Sequence, residues 1–300
     1  MQWNRVMVCG AIAILAASPV LAAEKITLEH GDTTLVGHLQ EGAGARPEDG
    51  VVMLLHGTLA HGRMELMSAL QDELAARGRN TLSINLSYGI DDREGMFECD
   101  APVRHGVEAH LDELDIWHEW LQDAGYGPLT LLGHSRGGNQ MARYLTERDP
   151  DNTQAMILVA PSTYDAEGAA KEYEEQSGTP LQIVLDRARE LQRMNQPATL
   201  MEDVRFLYCD ALDVTPAAFL GYYEPTPRHD TPSVIEGVEV PTLVVIGSED
   251  DVISELPERM EAVRETGPIA LATVDGAGHF FREFFAEDVV GLALDFIDRQ

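Results

Sequence analysis

Gly133-His134-Ser135-Arg136-Gly137, extended by Gly138, sets a serine among small residues. Pro128 to Leu132 before it reads as a strand and Asn139 to Arg148 after it as a helix. A serine on so sharp a strand-to-helix turn needs glycine neighbours, because its backbone crowds adjacent elements, and it holds its hydroxyl out for nucleophilic attack. A serine hydroxyl is a weak nucleophile without a base, so the motif asks for a histidine and an acid to orient it. His279, in Gly276-Ala277-Gly278-His279-Phe280, and Asp250, three residues after Gly247, both follow short apolar runs that read as strands. The chemistry such a set would perform is acyl transfer through a covalent acyl-serine. Asp251 adjoins Asp250 and is the alternative acid, and Glu249 flanks it on the other side.

The elements that must position these residues can be read from hydrophobic patterning. Ile26 to His30 and Thr34 to Leu39 flank Gly31-Asp32, which suits a tight hairpin with glycine at the first central position. A linker, Glu41 to Gly50, leads to Val51-Val52-Met53-Leu54-Leu55, a continuous apolar run of the kind a parallel strand buried on both faces requires. Further strands are expected at Thr81 to Leu86, Leu129 to Leu132, Ala155 to Ala160, Thr242 to Ile246 and Ile269 to Val274. Helices are expected at Met64 to Arg77 and at Val107 to Ala124, where Val107, Leu111, Leu114, Trp117 and Leu121 form one apolar stripe. Repeated alternation of strand and helix implies an open, mostly parallel sheet covered on both sides. Between Pro161 and Val240 about eighty residues carry no convincing buried strand, while Leu181 to Met194 reads as an amphipathic helix. This stretch is expected to be a helical cap over the sheet.

Taken together, these residues resemble the α/β-hydrolase superfamily over roughly residues 50 to 298. The order Ser, Asp, His is that of this fold, in contrast to the chymotrypsin and subtilisin orders. The resemblance implies a mostly parallel central sheet flanked by helices, with core segments 24–161 and 240–300 and a helical cap at 162–239. It also implies an oxyanion hole in the loop His56-Gly57-Thr58-Leu59, with the backbone N–H groups of Thr58 and Arg136 as donors and Leu59 as competitor for the first. The activity implied is hydrolysis of a carboxylester or thioester, of the esterase or lipase kind, on a small-molecule acyl substrate. An acyltransferase or a non-catalytic ligand-binding protein of the same fold is the alternative. Relatives that open epoxides or remove halides carry an aspartate where this chain has Ser135.

The surrounding residues admit less dramatic roles. His134 is expected to be a packed or hydrogen-bonded neighbour, and His105, His110 and His118 to be satisfied core or surface residues. Arg136 opposes the dipole at a helix start and is expected to pair with a nearby carboxylate, or else to face an anionic substrate group. His61 is a candidate pocket residue.

Composition narrows the partners. The chain has 300 residues and a formal net charge of -30, from 51 Asp and Glu against 21 Lys and Arg, which disfavours nucleic acid and anionic lipid surfaces. No cofactor or metal is called for, since neither His-Glu-x-x-His nor paired Cys-x-x-Cys occurs. Arg5, the apolar run Val6 to Ala17, Ser18-Pro19 and Val20-Leu21-Ala22-Ala23 have the layout of a secretory signal peptide spanning residues 1–23, so export to the periplasm or beyond is expected. The run is too short to span a bilayer. Cleavage removes Cys9 and leaves Cys99 and Cys209 where a disulfide persists, so one bridge between them or two buried thiols are both open. A bridge would pin the loop Ser87 to Gly106 to the cap.

Overall fold

The computed structural model describes residues 22–300. The expected export segment, up to Leu21, lies outside them. The chain runs β1 (Glu24–His30), β2 (Thr33–Gln40), β3 (Val51–Leu55), α1 (Glu65–Ala76), β4 (Asn80–Asn85), α2 (Val107–Asp123), β5 (Leu129–His134), α3 (Arg136–Arg148) and β6 (Thr153–Val159). It then leaves the sheet for α4 (Ala166–Ser177), α5 (Leu181–Arg193), β7 (Met201–Phe206), β8 (Cys209–Val214), α6 (Pro216–Tyr223) and α7 (Thr231–Val234). It returns through β9 (Thr242–Gly247), α8 (Leu256–Val263), β10 (Ile269–Val274) and α9 (Phe285–Ile297).

Eight strands form one sheet in the order β1-β2-β4-β3-β5-β6-β9-β10. All neighbours from β4 to β10 are parallel, and β2 alone runs against both β1 and β4. Gly31, with φ +59°, is the one residue of the β1-β2 turn in the left-handed region, as a type II′ turn with glycine first demands. Every residue of β3, β4, β5 and β9 is buried, which requires cover on both faces of the sheet. Helix α1 packs on α9 and α2 packs on α3. Trp117 of α2 is fully buried. Each large apolar side chain withdrawn from water in this way contributes about 1.5–3 kcal/mol before entropy is counted.

The segment between β6 and β9 is not purely helical, which corrects the expectation from sequence. Its β7 and β8 form an antiparallel hairpin with pairs Met201↔Val214, Val204↔Leu212 and Phe206↔Cys209. The register shifts twice within those few residues, and Asp203 sits at φ +53°. Such bulges insert unpaired residues, so the apolar positions Met201, Val204 and Phe206 lose the period of two by which a strand is recognised. The hairpin is joined to the core side of the molecule: Cys209 is disulfide-bonded to Cys99, with Cα atoms 5.5 Å apart. Val103 N–H donates to the Asp213 carbonyl at 2.8 Å, and Thr215 N–H donates to the Val103 carbonyl at 2.9 Å. The Cys99–Cys209 bond therefore ties the long β4-α2 connection to the cap.

Candidate active site

Ser135 stands between β5 and α3 with φ 54° and ψ -124°, a conformation that costs a non-glycine residue about 1–3 kcal/mol. The strain is held by hydrogen bonds: Ser135 N–H donates to the Val159 carbonyl at 3.0 Å, and its own carbonyl accepts from Ser162 N–H at 3.1 Å. The flanking glycines are required by space. A Cβ on Gly133 would stand 2.4 Å from the Gly137 carbonyl oxygen, and one on Gly137 would stand 2.2 Å from that of His56.

Three carboxyl-end loops of the sheet bring the remaining groups to this serine. His279 follows β10, and its Nε2 lies 3.0 Å from Ser135 Oγ. Its Nδ1 lies 2.9 Å from Asp250 Oδ2, in the loop after β9. Both side chains are nearly sealed from water, at 5% and 4% exposure. The other Asp250 oxygen, Oδ1, accepts the backbone N–H groups of Val252 at 2.9 Å and Ile253 at 3.1 Å. Glu249 and Asp251 are exposed, so of the three adjacent acids only Asp250 meets the imidazole. The two loops are also bound to each other, since Glu249 N–H donates to the Ala277 carbonyl at 2.9 Å and Gly276 N–H donates to Ser248 Oγ at 2.7 Å.

With Asp250 ionised, Nδ1 carries the imidazole proton and Nε2 is left as an acceptor facing the serine hydroxyl. His134 is placed differently. Its Nε2–H donates to the His279 carbonyl at 2.9 Å, and burial, with His279 beside it, pushes its pKa down to about 4. It stays neutral and holds the His279 backbone.

The loop His56-Gly57-Thr58-Leu59 passes directly over the serine. His56 is fully buried, and its Nδ1–H donates to the Gly57 carbonyl at 2.9 Å. Its Nε2 accepts Leu86 N–H at 3.2 Å, which fixes the loop on the neighbouring strand. Burial holds its pKa well below the usual histidine value. Among the described residues, neither Thr58 N–H nor Arg136 N–H donates to another protein group. Thr58 and Arg136 both line the cavity above Ser135, whereas Leu59 is buried beneath it with its carbonyl bonded to Phe97 N–H at 3.0 Å.

That cavity has a volume of about 870 Å³, within the range of small-molecule sites. The core contributes Ser135, His279, Thr58 and Asn139, and the cap contributes Tyr164, Tyr173, Tyr208, Tyr222, Tyr223 and His229. Sequence reasoning did not single out these cap residues, and no local motif marks them. His61 does not line the cavity. His105 and His110 are buried below it, bonded to the Tyr222 hydroxyl at 3.1 Å and 3.4 Å, and His118 is buried 3.4 Å from the Tyr144 hydroxyl.

Arg136 departs from expectation. Among the described residues no carboxylate lies within 4.0 Å of it. Its guanidinium lies 5.2 Å from the centroid of the Tyr222 ring, and its Nε–H approaches Thr58 Oγ1 at 3.4 Å. Glu108 and Glu147 instead bind Arg143 and Arg228, and Glu113 accepts Ser87 N–H and Oγ–H.

The sequence profile of the alpha/beta hydrolase family matches residues 52–291, four-fifths of the chain. The chain belongs to this family. Among solved structures, Est1E from Butyrivibrio proteoclasticus with ferulic acid bound is similar with a TM-score of 0.65 at 16% identity, over 91% of this chain and 99% of that one. An esterase from Pyrococcus furiosus gives 0.61 at 16% identity, over 92% and 91%. Mouse alpha/beta hydrolase domain-containing protein 10 gives 0.60 at 18% identity, over 92% and 99%. Among curated proteins no sequence relative matches. Similarity at these identities is similarity of fold.

Proposed function

We propose that the chain is a serine hydrolase that cleaves a carboxylester or thioester of a small molecule through an acyl-enzyme. The observation that carries this reading is the unbroken relay from Ser135 Oγ to His279 Nε2 at 3.0 Å and from His279 Nδ1 to Asp250 Oδ2 at 2.9 Å. His279 Nε2 takes the serine proton as Oγ adds to the substrate carbonyl carbon. The oxyanion forms against Thr58 N–H and Arg136 N–H, where each donor is worth about 3–4 kcal/mol in the transition state. Collapse breaks the bond to the leaving alcohol or thiol, which departs with the proton held on Nε2. Water then gives its proton to the same nitrogen, adds to the acyl carbon, and releases the acid and the regenerated serine. Asp250 orients the ring and stabilises the imidazolium in both halves. The esterase among the similar folds and the ferulic acid bound to Est1E, a carboxylic acid of the class ester hydrolysis releases, support the reaction type.

The signal-peptide layout of residues 1–23 supports export, and a disulfide is the cysteine chemistry of an oxidising compartment. The test of function is hydrolysis of p-nitrophenyl esters from acetate to palmitate by the mature protein, with Ser135→Ala alongside. Turnover lost in the variant supports the reading, and the best chain length reports how much of the cavity the acyl group fills. Equal rates in both proteins would overturn it. Added alcohol gives the product test for transfer in place of hydrolysis.

A further inference from the structure

Among the described residues, the cavity wall carries one cation without a protein counter-charge, immediately beside the nucleophile. Arg136 and Arg205 both line the cavity. Arg205 is committed to Asp210 and Gln176. Arg136 is half-buried, and among the described residues only its Nε–H has a protein acceptor, Thr58 Oγ1 at 3.4 Å, so both terminal NH₂ groups of the guanidinium are left without one. Its surroundings are aromatic and polar without negative charge: the Tyr222 ring face at 5.2 Å, with Tyr223, Asn139 and His229 in the same wall. Burial holds His229 near pKa 4, hence neutral, and its Nε2 is sealed from solvent with no partner.

The cavity wall also holds three carboxylates, each hydrogen-bonded to a neutral donor and none within 4.0 Å of Arg136. Asp165 caps α4 through Gly168 N–H at 2.6 Å, Glu172 accepts from Gln176 Nε2 at 2.9 Å, and Glu255 accepts from Thr163 Oγ1 at 2.5 Å. A partly desolvated guanidinium with free donors is a fork for a planar anion.

We infer that Arg136 is a specificity-determining residue that binds an anionic group, a carboxylate in the first instance, lying a few bonds from the scissile carbonyl. The preferred substrates are then half-esters of short dicarboxylic acids or esters of similarly short anionic acids. The inference rests on the hydrolase reading above and narrows its substrate class. The position gives the geometry: residue 136 follows the nucleophile directly, about 3.8 Å away along the chain. Its backbone N–H is one of the two proposed oxyanion donors, while its side chain reaches toward Thr58 and Tyr222. Binding of the anion thus aligns the carbonyl with the donor on the same residue.

The experiment compares mono-p-nitrophenyl half-esters of succinate, glutarate and adipate with their neutral methyl diesters, with uncatalysed rates subtracted, in wild type, Arg136→Gln and Arg136→Lys. Every side chain at 136 keeps the backbone N–H, so the readout is the ratio of kcat/KM for anionic over neutral ester, in which any general loss cancels. A charge-assisted pair predicts a wild-type ratio above one for at least one chain length, falling about 10-fold or more in Arg136→Gln and partly restored in Arg136→Lys. A ratio unchanged by Arg136→Gln, as for a side chain that merely braces the Thr58 loop, would overturn the inference. So would a wild-type preference for every neutral ester. If wild type cleaves neither class, the hydrolase reading fails, and calorimetric titration of glutarate into Ser135→Ala with and without Arg136→Gln separates the two questions. Binding lost with the arginine still supports the anion site, and equal or absent binding in both overturns it.

Discussion

Replacing Asp250 by Asn tests the relay at its least visible link. The side chains are nearly isosteric, so Oδ1 keeps the Val252 and Ile253 N–H groups now held at 2.9 Å and 3.1 Å, and the loop stays in place. The amide NH₂ then occupies the site of Oδ2 and donates toward His279 Nδ1, 2.9 Å away. Nδ1 must become an acceptor, which moves the imidazole proton to Nε2. That nitrogen faces Ser135 Oγ at 3.0 Å, so a donor stands where the base is required. The loss of the correct tautomer and of the buried negative charge beside the imidazolium is worth about 10³–10⁴ in kcat, or about 4 to 5.5 kcal/mol of transition-state stabilisation. KM should move little, because Asp250 does not line the cavity. The assay is kcat and KM on the best p-nitrophenyl ester, with thermal unfolding to confirm that stability changes by less than about 1 kcal/mol. Asp251→Asn and Glu249→Gln, both on exposed side chains, are the controls and should remain within a few-fold of wild type. An Asp250→Asn enzyme within tenfold of wild type, or a collapse in Asp251→Asn instead, would refute the tautomer argument and the assignment with it.

Gly137→Ala forces a Cβ to within 2.2 Å of the His56 carbonyl oxygen, so the elbow or the oxyanion loop must move; the expected cost is about 3 kcal/mol in stability and about 100-fold in kcat/KM, read by thermal melting and ester kinetics. Glu113, buried against Ser87, has its pKa raised by burial from 4.5 to about 7, so the unfolded chain releases this proton first and the native state loses up to about 3 kcal/mol as pH rises from 4.5 to 7, with no further loss above. Glu113→Gln can still accept Ser87 N–H while donating to Ser87 Oγ, so the variant's Tm relative to wild type should climb across that window and level off above pH 7; a constant difference would count against an ionising Glu113. The Cys99–Cys209 bond closes a loop of sequence separation 110, and Cys99→Ser with Cys209→Ser should lower unfolding free energy by about 3–5 kcal/mol in denaturant titration, with a raised KM as the cap loosens.

What the sequence made legible follows from where each constraint is written. The elbow is local: Gly133 and Gly137 are forced by carbonyl oxygens a few residues or one strand away, so the motif and its flanking strand and helix suffice to find Ser135. The end of β9 is found because a buried strand is a continuous apolar run, and His279 because β10, a partly buried edge strand, is also largely apolar. Asp250 and Asp251 look alike in that reading, since a loop has no period to assign faces. What separates them is an Asx-type turn, with the Asp250 carboxylate bonded to the backbone two and three residues ahead. The pairing expected for Arg136 failed for the opposite reason. Ion pairing depends on which carboxylates remain free after the fold has formed, and Glu108, Glu147 and Glu113 are engaged by Arg143, Arg228 and Ser87, mostly from distant parts of the chain.

The cap is the least legible part and acts on the chemistry most directly. Its hairpin is disguised by two register shifts, and its pocket residues carry no pattern because each is chosen to face a cavity and not a core. The Tyr208 hydroxyl, at the tip of that hairpin, donates to the Phe97 carbonyl at 2.8 Å, with the Leu59 carbonyl at 3.4 Å, and Phe97 N–H in turn binds the Leu59 carbonyl at 3.0 Å. Leu59 has φ 50°, adjoins Thr58, and is therefore held in a left-handed conformation by contacts that the cap completes. The bond between Cys99 and Cys209 fastens the same two segments two residues from Phe97 and one from Tyr208. The cap thus does more than roof the cavity. Through Tyr208, Phe97 and Leu59 it fixes the backbone that presents the Thr58 N–H, so the cavity and the proposed oxyanion donor are held by one structural unit.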